Sequence, residues 1–153
     1  GHIDQSLFAR TILDEKNGPP PEVNLFNEKN NGESILNLID KGYVKSAHDI
    51  SLGGLLVAIS KMCIKGNKGI KISKSKNLIN EIEYFFAEDQ GRYLIEVNKE
   101  DLKEVTKILN KNSVHHEELG IITQNDMIIN EKTKVTIDEL KSYYTNWLSK
   151  YMS

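Results

Sequence analysis

Two short segments hold residue types that can do chemistry together. The first, His48-Asp49-Ile50-Ser51-Leu52-Gly53-Gly54, sets an imidazole, a carboxylate and a hydroxyl ahead of a glycine pair. Adjacent glycines let a backbone turn tightly and approach a ligand closely. Amides exposed at the start of a following helix favour an anion such as phosphate. The second segment, Glu88-Asp89-Gln90-Gly91-Arg92, holds two acids, an amide and an arginine. Such a set can orient a polar ligand or a magnesium-bound phosphate. A plainer chemistry also serves both segments and, taken segment by segment, is the favoured one. Asp49 or Ser51 caps a helix while the glycines permit dense packing, and an Arg–carboxylate pair closes a polar turn. Asp89 and Gln90 are the residues singled out should that plainer reading fail.

Weaker candidates reduce to structure. His115-His116 followed by Glu117-Glu118 suggests a metal, but neighbours on a strand face opposite ways and do not share an ion. Cys63 has no histidine at an activating spacing and reads as packing. Tyr143, Tyr144, Trp147 and Tyr151 fall at helical spacing, as a docking face or an interface. No lysine-bearing phosphate loop, Gly-x-Ser-x-Gly, Cys-x-x-Cys or dinucleotide fingerprint is present. No catalytic residue and no metal ligand is assigned.

The elements that must position these segments follow from periodicity. Apolar residues at helical spacing predict helices over 5–16, 24–41, 99–111 and from Asp138, taken as the cap, to the end. Gly32 is a possible break in the second of these, and Gly42 marks its end. Between the first two, Pro19-Pro20-Pro21 enforces an extended stretch. The Gly53-Gly54 pair opens a further helix, apolar on more than one side and so buried on two faces. Short strands are predicted at 43–48, 69–72, 92–97, 117–122, 127–129 and 134–137, while 77–86 fits helix or strand. Helices and strands mix without a regular βαβ rhythm. This predicts an α+β fold on one mixed, largely antiparallel sheet.

Composition bounds the function. With 153 residues, 39% hydrophobic, the chain has the size and core of one domain. It is read as a single domain over 1–153: an N-terminal helix and proline-rich segment over 1–23, then an α/β core over 24–153. A net charge of -2 argues against a nucleic-acid partner. A mean hydropathy of -0.45, with no long apolar run, argues against a membrane one. One cysteine and no secretory leader point to a reducing, cytoplasmic setting. The chain opens on Gly1 rather than Met, as expected of a processed product, of a recombinantly expressed piece or of a segment of something longer.

Taken in order, Gln5-Ser6-Leu7, Pro19-Pro20-Pro21-Glu22-Val23-Asn24-Leu25, the His48–Gly54 segment and Phe86-Ala87-Glu88-Asp89-Gln90-Gly91-Arg92-Tyr93 resemble one family. It is the C-terminal domain of phosphoribosylformylglycinamidine synthase, related to aminoimidazole ribonucleotide synthetase. The tail from Leu119-Gly120-Ile121 to Trp147-Leu148-Ser149-Lys150-Tyr151-Met152 is similar to the end of the bacterial small-subunit form, so the resemblance covers the chain.

The resemblance implies a three-layer α/β/α domain, α+β and partly ferredoxin-like, from an ATP-dependent carbon–nitrogen ligase of purine biosynthesis. There ATP phosphorylates the amide oxygen of formylglycinamide ribonucleotide, and glutamine-derived ammonia displaces phosphate. ATP and Mg2+ are implied as cofactors of the full enzyme. The implied partners are the remaining synthetase domains, a glutaminase subunit and a small accessory subunit. His48, Asp49, Ser51, Gly53, Gly54, Glu88, Asp89, Gln90 and Arg92 are the implied cofactor-binding set, as one wall of a nucleotide cleft. Leu52 departs from the family, which has an acid there, and Asp4 replaces a usual glycine. The alternatives are a sister synthetase or a ligand-free interaction module of the same fold.

Overall fold

In a computed structural model of the protein, residues 1–72 and 80–153 are described. Along them run α1 (Leu7–Ile12), α2 (Leu25–Asp40), β1 (Val44–Asp49), α3 (Gly54–Gly66) and β2 (Gly69–Ile72). Then come α4 (Glu81–Phe86), β3 (Tyr93–Val97), α5 (Leu102–Lys111), β4 (Gly120–Thr123), β5 (Asp126–Ile129), β6 (Thr133–Thr136) and α6 (Ile137–Met152). Two compact units are formed: residues 1–58 with 80–117, and the described part of 59–79 with 118–153.

Each element of the first unit has a local cause. Asn24 caps α2 by accepting from the Asn27 amide at 3.0 Å. The helix ends where Gly42 takes φ +75 and the Gly42 and Tyr43 amides return to the Ile39 and Leu38 carbonyls, a left-handed glycine close. Gly32, the possible break, lies inside a continuous helix. β1 alternates half-buried and exposed positions and pairs antiparallel with β3, from Val44 opposite Val97 to Asp49 opposite Tyr93. Leu38 of α2 and Val105 and Leu109 of α5 form a buried cluster, against which Val44, Ile95 and Val97 of the strands pack. Asn80 caps α4 through the Ile82 amide. That settles 81–86 as helix, while 77–79 lie outside the described residues.

In the second unit, β2 runs antiparallel to β4 and parallel to β5, and β5 is antiparallel to β6. The sheet order is β4-β2-β5-β6, with Ile70, Ile72 and Met127 buried. Strands thus fall into two sheets rather than the single one expected. β2 takes partners from the C-terminal strands on both its edges, and β1 and β3 pair with each other. The cap of α6 is Thr136, not Asp138. Thr136 accepts from the Glu139 amide at 3.1 Å, and the Glu139 side chain returns to the Thr136 amide, a reciprocal capping box. Asp138 stands in the first helical turn, where its charge complements the helix dipole. The aromatic face of α6 is open, with Tyr143 74%, Trp147 61% and Tyr151 83% exposed.

Cys63 is buried, in keeping with its reading as a packing residue. Burial pushes its thiol from 9.0 to about 11. The fold favours the neutral thiol, and the unfolded chain gives up the proton first, so this contribution is complete below about 9 and is lost as pH climbs toward 11. Denaturant unfolding at several pH values therefore shows a steeper alkaline loss of stability in the native sequence than in Cys63→Ala. Identical slopes contradict this.

Candidate functional site

The strand pair brings the two chemical segments side by side. Beyond β1 the ladder continues, with the Ile50 amide donating to the Arg92 carbonyl at 2.8 Å. The chain then turns at Ser51–Gly54, where the Gly54 amide donates to the Ser51 carbonyl at 2.9 Å. Gly53 and Gly54 take φ +89 and +72, in the region that L side chains avoid. A Cβ on Gly54 would stand 2.7 Å from the Phe86 backbone. The start of α3 is thereby seated directly on the end of α4, just ahead of the acid-rich bend.

Glu88 completes the junction. Its Oε1 accepts from the Gly53 amide at 2.7 Å and from the Leu7 amide at 2.8 Å, while its own amide donates to the His2 carbonyl at 3.3 Å. One carboxylate oxygen thus joins the first residue of α1, the turn before α3 and the bend after α4. Asp89 accepts from the His2 amide at 3.0 Å and lies 3.4 Å from the Arg92 guanidinium. Arg92 also donates to the Ala87 carbonyl at 3.3 Å. Gly91 is held at φ +66 against α2, where the Asn31 amide group donates to its carbonyl at 3.0 Å.

These elements enclose a cleft of about 230 Å³, lined by Glu28, Asp49, Ile50, Ser51, Glu88, Gln90, Gly91, Arg92 and Tyr93. Three carboxylates face one guanidinium, and that guanidinium is already turned toward Asp89. Such a wall suits neutral groups that donate hydrogen bonds better than a bare anion. His48 is not among the lining residues. It alternates with Asp49 along β1, and its Nδ1 lies against the Asp49 carbonyl.

The structure therefore brings Asp49, Ser51, Glu88, Gln90 and Arg92 together at the cleft, with Gly53, Gly54 and Asp89 building the junction beneath. Sequence reading missed Glu28 and Asn31 of α2, and the Leu7 and His2 backbone groups. Nothing in the sequence flags them, because Glu28 reads as an exposed helical acid and the others act through main chain or a single amide.

No group of three metal-ligating side chains occurs among the described residues, and none of their buried side-chain polar atoms lacks a partner. With Glu88 engaged by two amides and Asp89 by an amide and Arg92, these residues do not make a magnesium site by themselves. His115 and His116 lie in irregular chain before β4, not on a strand. Glu117 instead accepts from the Tyr84 hydroxyl at 2.8 Å; burial first, then that bond, push the phenol upward.

Residues 5–130 match the family described as AIR synthase related protein, C-terminal domain, and the chain belongs to that family. The chain is 64% identical over 152 residues to phosphoribosylformylglycinamidine synthase subunit PurL of Pelagibacter ubique, covering 99% of itself and 21% of that protein. Two solved structures share the fold. One, T. maritima PurL complexed with FGAR, has TM-score 0.67 and 21% identity, and covers 77% of this chain and 21% of that one. The other, T. maritima PurL complexed with ATP, has TM-score 0.67 and 18% identity, and covers 92% of this chain and 24% of that one. This chain spans about one fifth of the length of the curated relatives it matches. Among its described residues no helix is long and apolar enough to cross a membrane.

The glycine junction makes a direct prediction. Gly54→Ala forces a side chain into a left-handed conformation and against the Phe86 backbone, and destabilises the fold by more than ~1 kcal/mol. Denaturant unfolding measures it, and an unchanged midpoint contradicts it.

Proposed function

We propose that this chain is the C-terminal domain of a formylglycinamide ribonucleotide synthetase, and that it supplies one wall of a nucleotide cleft. The observation that carries this reading is the 64% identity to the Pelagibacter ubique subunit across nearly the whole chain. In the proposed reaction ATP phosphorylates the amide oxygen of formylglycinamide ribonucleotide. Ammonia from glutamine then adds to the activated carbon, and inorganic phosphate leaves. Positioning and charge neutralisation dominate phosphoryl transfer. Asp49, Ser51, Gln90 and Arg92 form the rim that meets the ligand, and Gly53, Gly54, Glu88 and Asp89 hold that rim in place. His48 supports the end of β1.

ATP and Mg2+ serve the full enzyme, and the metal takes its ligands chiefly from the other domains, because Glu88 and Asp89 at this rim are already engaged. The other synthetase domains, a glutaminase subunit and a small accessory subunit are the proposed partners, in the cytoplasm. One rim, whose single guanidinium already faces Asp89, does not by itself assemble the charge neutralisation that phosphoryl transfer requires. The purified 153-residue chain therefore forms no amidine product from ATP, ammonia and formylglycinamide ribonucleotide, and product above background contradicts the reading.

Leu52 favours a second reading. It is 62% exposed beside the turn, where the resembled family carries an acid, and an apolar group there suits a ligand-free interaction module. ADP with magnesium separates the two, because a bound ligand raises the melting temperature of the protein by mass action and a scaffold shows no shift.

A further inference from the structure

We infer that Glu88 is the cleft's own anion: a positioning residue whose carboxylate takes the Gly53 and Leu7 amides, so that the Gly53–Gly54 turn holds no ligand phosphate. The class of ligand rests on the nucleotide-wall reading; the clasp itself rests on geometry alone. A glycine turn opening a helix is the usual place for a phosphate oxygen to collect main-chain amides. Here that place is filled from within. The two contacts, 2.7 and 2.8 Å, lie at the short end for an amide donating to a charged oxygen.

An incoming phosphate would have to expel Glu88 from both amides. The freed carboxylate would then face Asp49 and Glu28 across the cleft, where like charges repel. The ligand's anionic groups are accordingly directed away from this wall. What meets Asp49, Ser51 and Gln90 is its neutral, hydrogen-bonding part. Glu88 contributes by fixing the turn and the bend at one separation, which sets the width of the cleft.

Hydrogen–deuterium exchange on the full-length subunit carrying this chain tests the clasp, read at peptides over 5–9 and 51–56, with 102–111 in α5 as the internal reference. In Glu88→Ala both peptides exchange faster together, roughly tenfold or more, while the reference is unchanged. Glu88→Gln keeps an acceptor oxygen without the charge, and the two peptides accelerate by a smaller, matched factor. Should the alanine variant not fold, the glutamine variant carries the test alone. Inorganic phosphate added to the native protein leaves 51–56 unaltered. Acceleration of one peptide without the other, equal loss in the alanine and glutamine variants, or slowing of 51–56 by phosphate overturns the inference. Failure of ADP to raise the melting temperature removes the nucleotide reading and leaves the exchange result intact.

Discussion

A single carboxylate oxygen holding two main-chain amides fixes the arrangement on which the cleft depends. Leu7 and Gly53 are distant in sequence, and each begins or precedes a helix whose first amides lack helical partners. Glu88 satisfies one from each, with charge-assisted bonds roughly twice as strong as neutral ones. Because the acceptor stands on the bend after α4, satisfying those amides also sets where the bend lies. Gly54 makes the approach possible, since only a residue without Cβ lets the start of α3 rest on the Phe86 backbone. Remove either feature and the Gly53–Gly54 turn loses its fastening to the bend after α4, while the β1–β3 ladder still holds Asp49 and Ile50 beside Tyr93 and Arg92.

What the sequence disclosed, and what it hid, follows from the range of the forces involved. Helix and strand positions are local: apolar spacing placed α5 and β3, and Asn24 and Gly42 marked the ends of α2. The α+β class followed from the same spacing. The division into two sheets did not, because which strand β2 pairs with is a non-local choice between similar edges. Asp138 is the cap that sequence alone suggests for α6, because it precedes the last apolar run. The reciprocal bond between Thr136 and Glu139 places the true cap two residues earlier.

The cleft was half legible for the same reason. Both chemical segments stood out by residue type, and their union is tertiary. Two parts of the plainer chemistry are present: the Arg92–Asp89 pair closes the bend, and the glycines permit dense packing. The amides at the turn do meet an anion, supplied by the chain. Glu28 and Asn31 were invisible because nothing local distinguishes them from other polar residues on α2.

The most direct measurement is through-hydrogen-bond scalar coupling in isotope-labelled protein, from the amide nitrogens of Leu7 and Gly53 to a side-chain carboxylate carbon. Cross-peaks from both nitrogens to the same carbon, Glu88 Cδ, are the predicted result. Coupling from only one of them, or from either to another acid, contradicts the account.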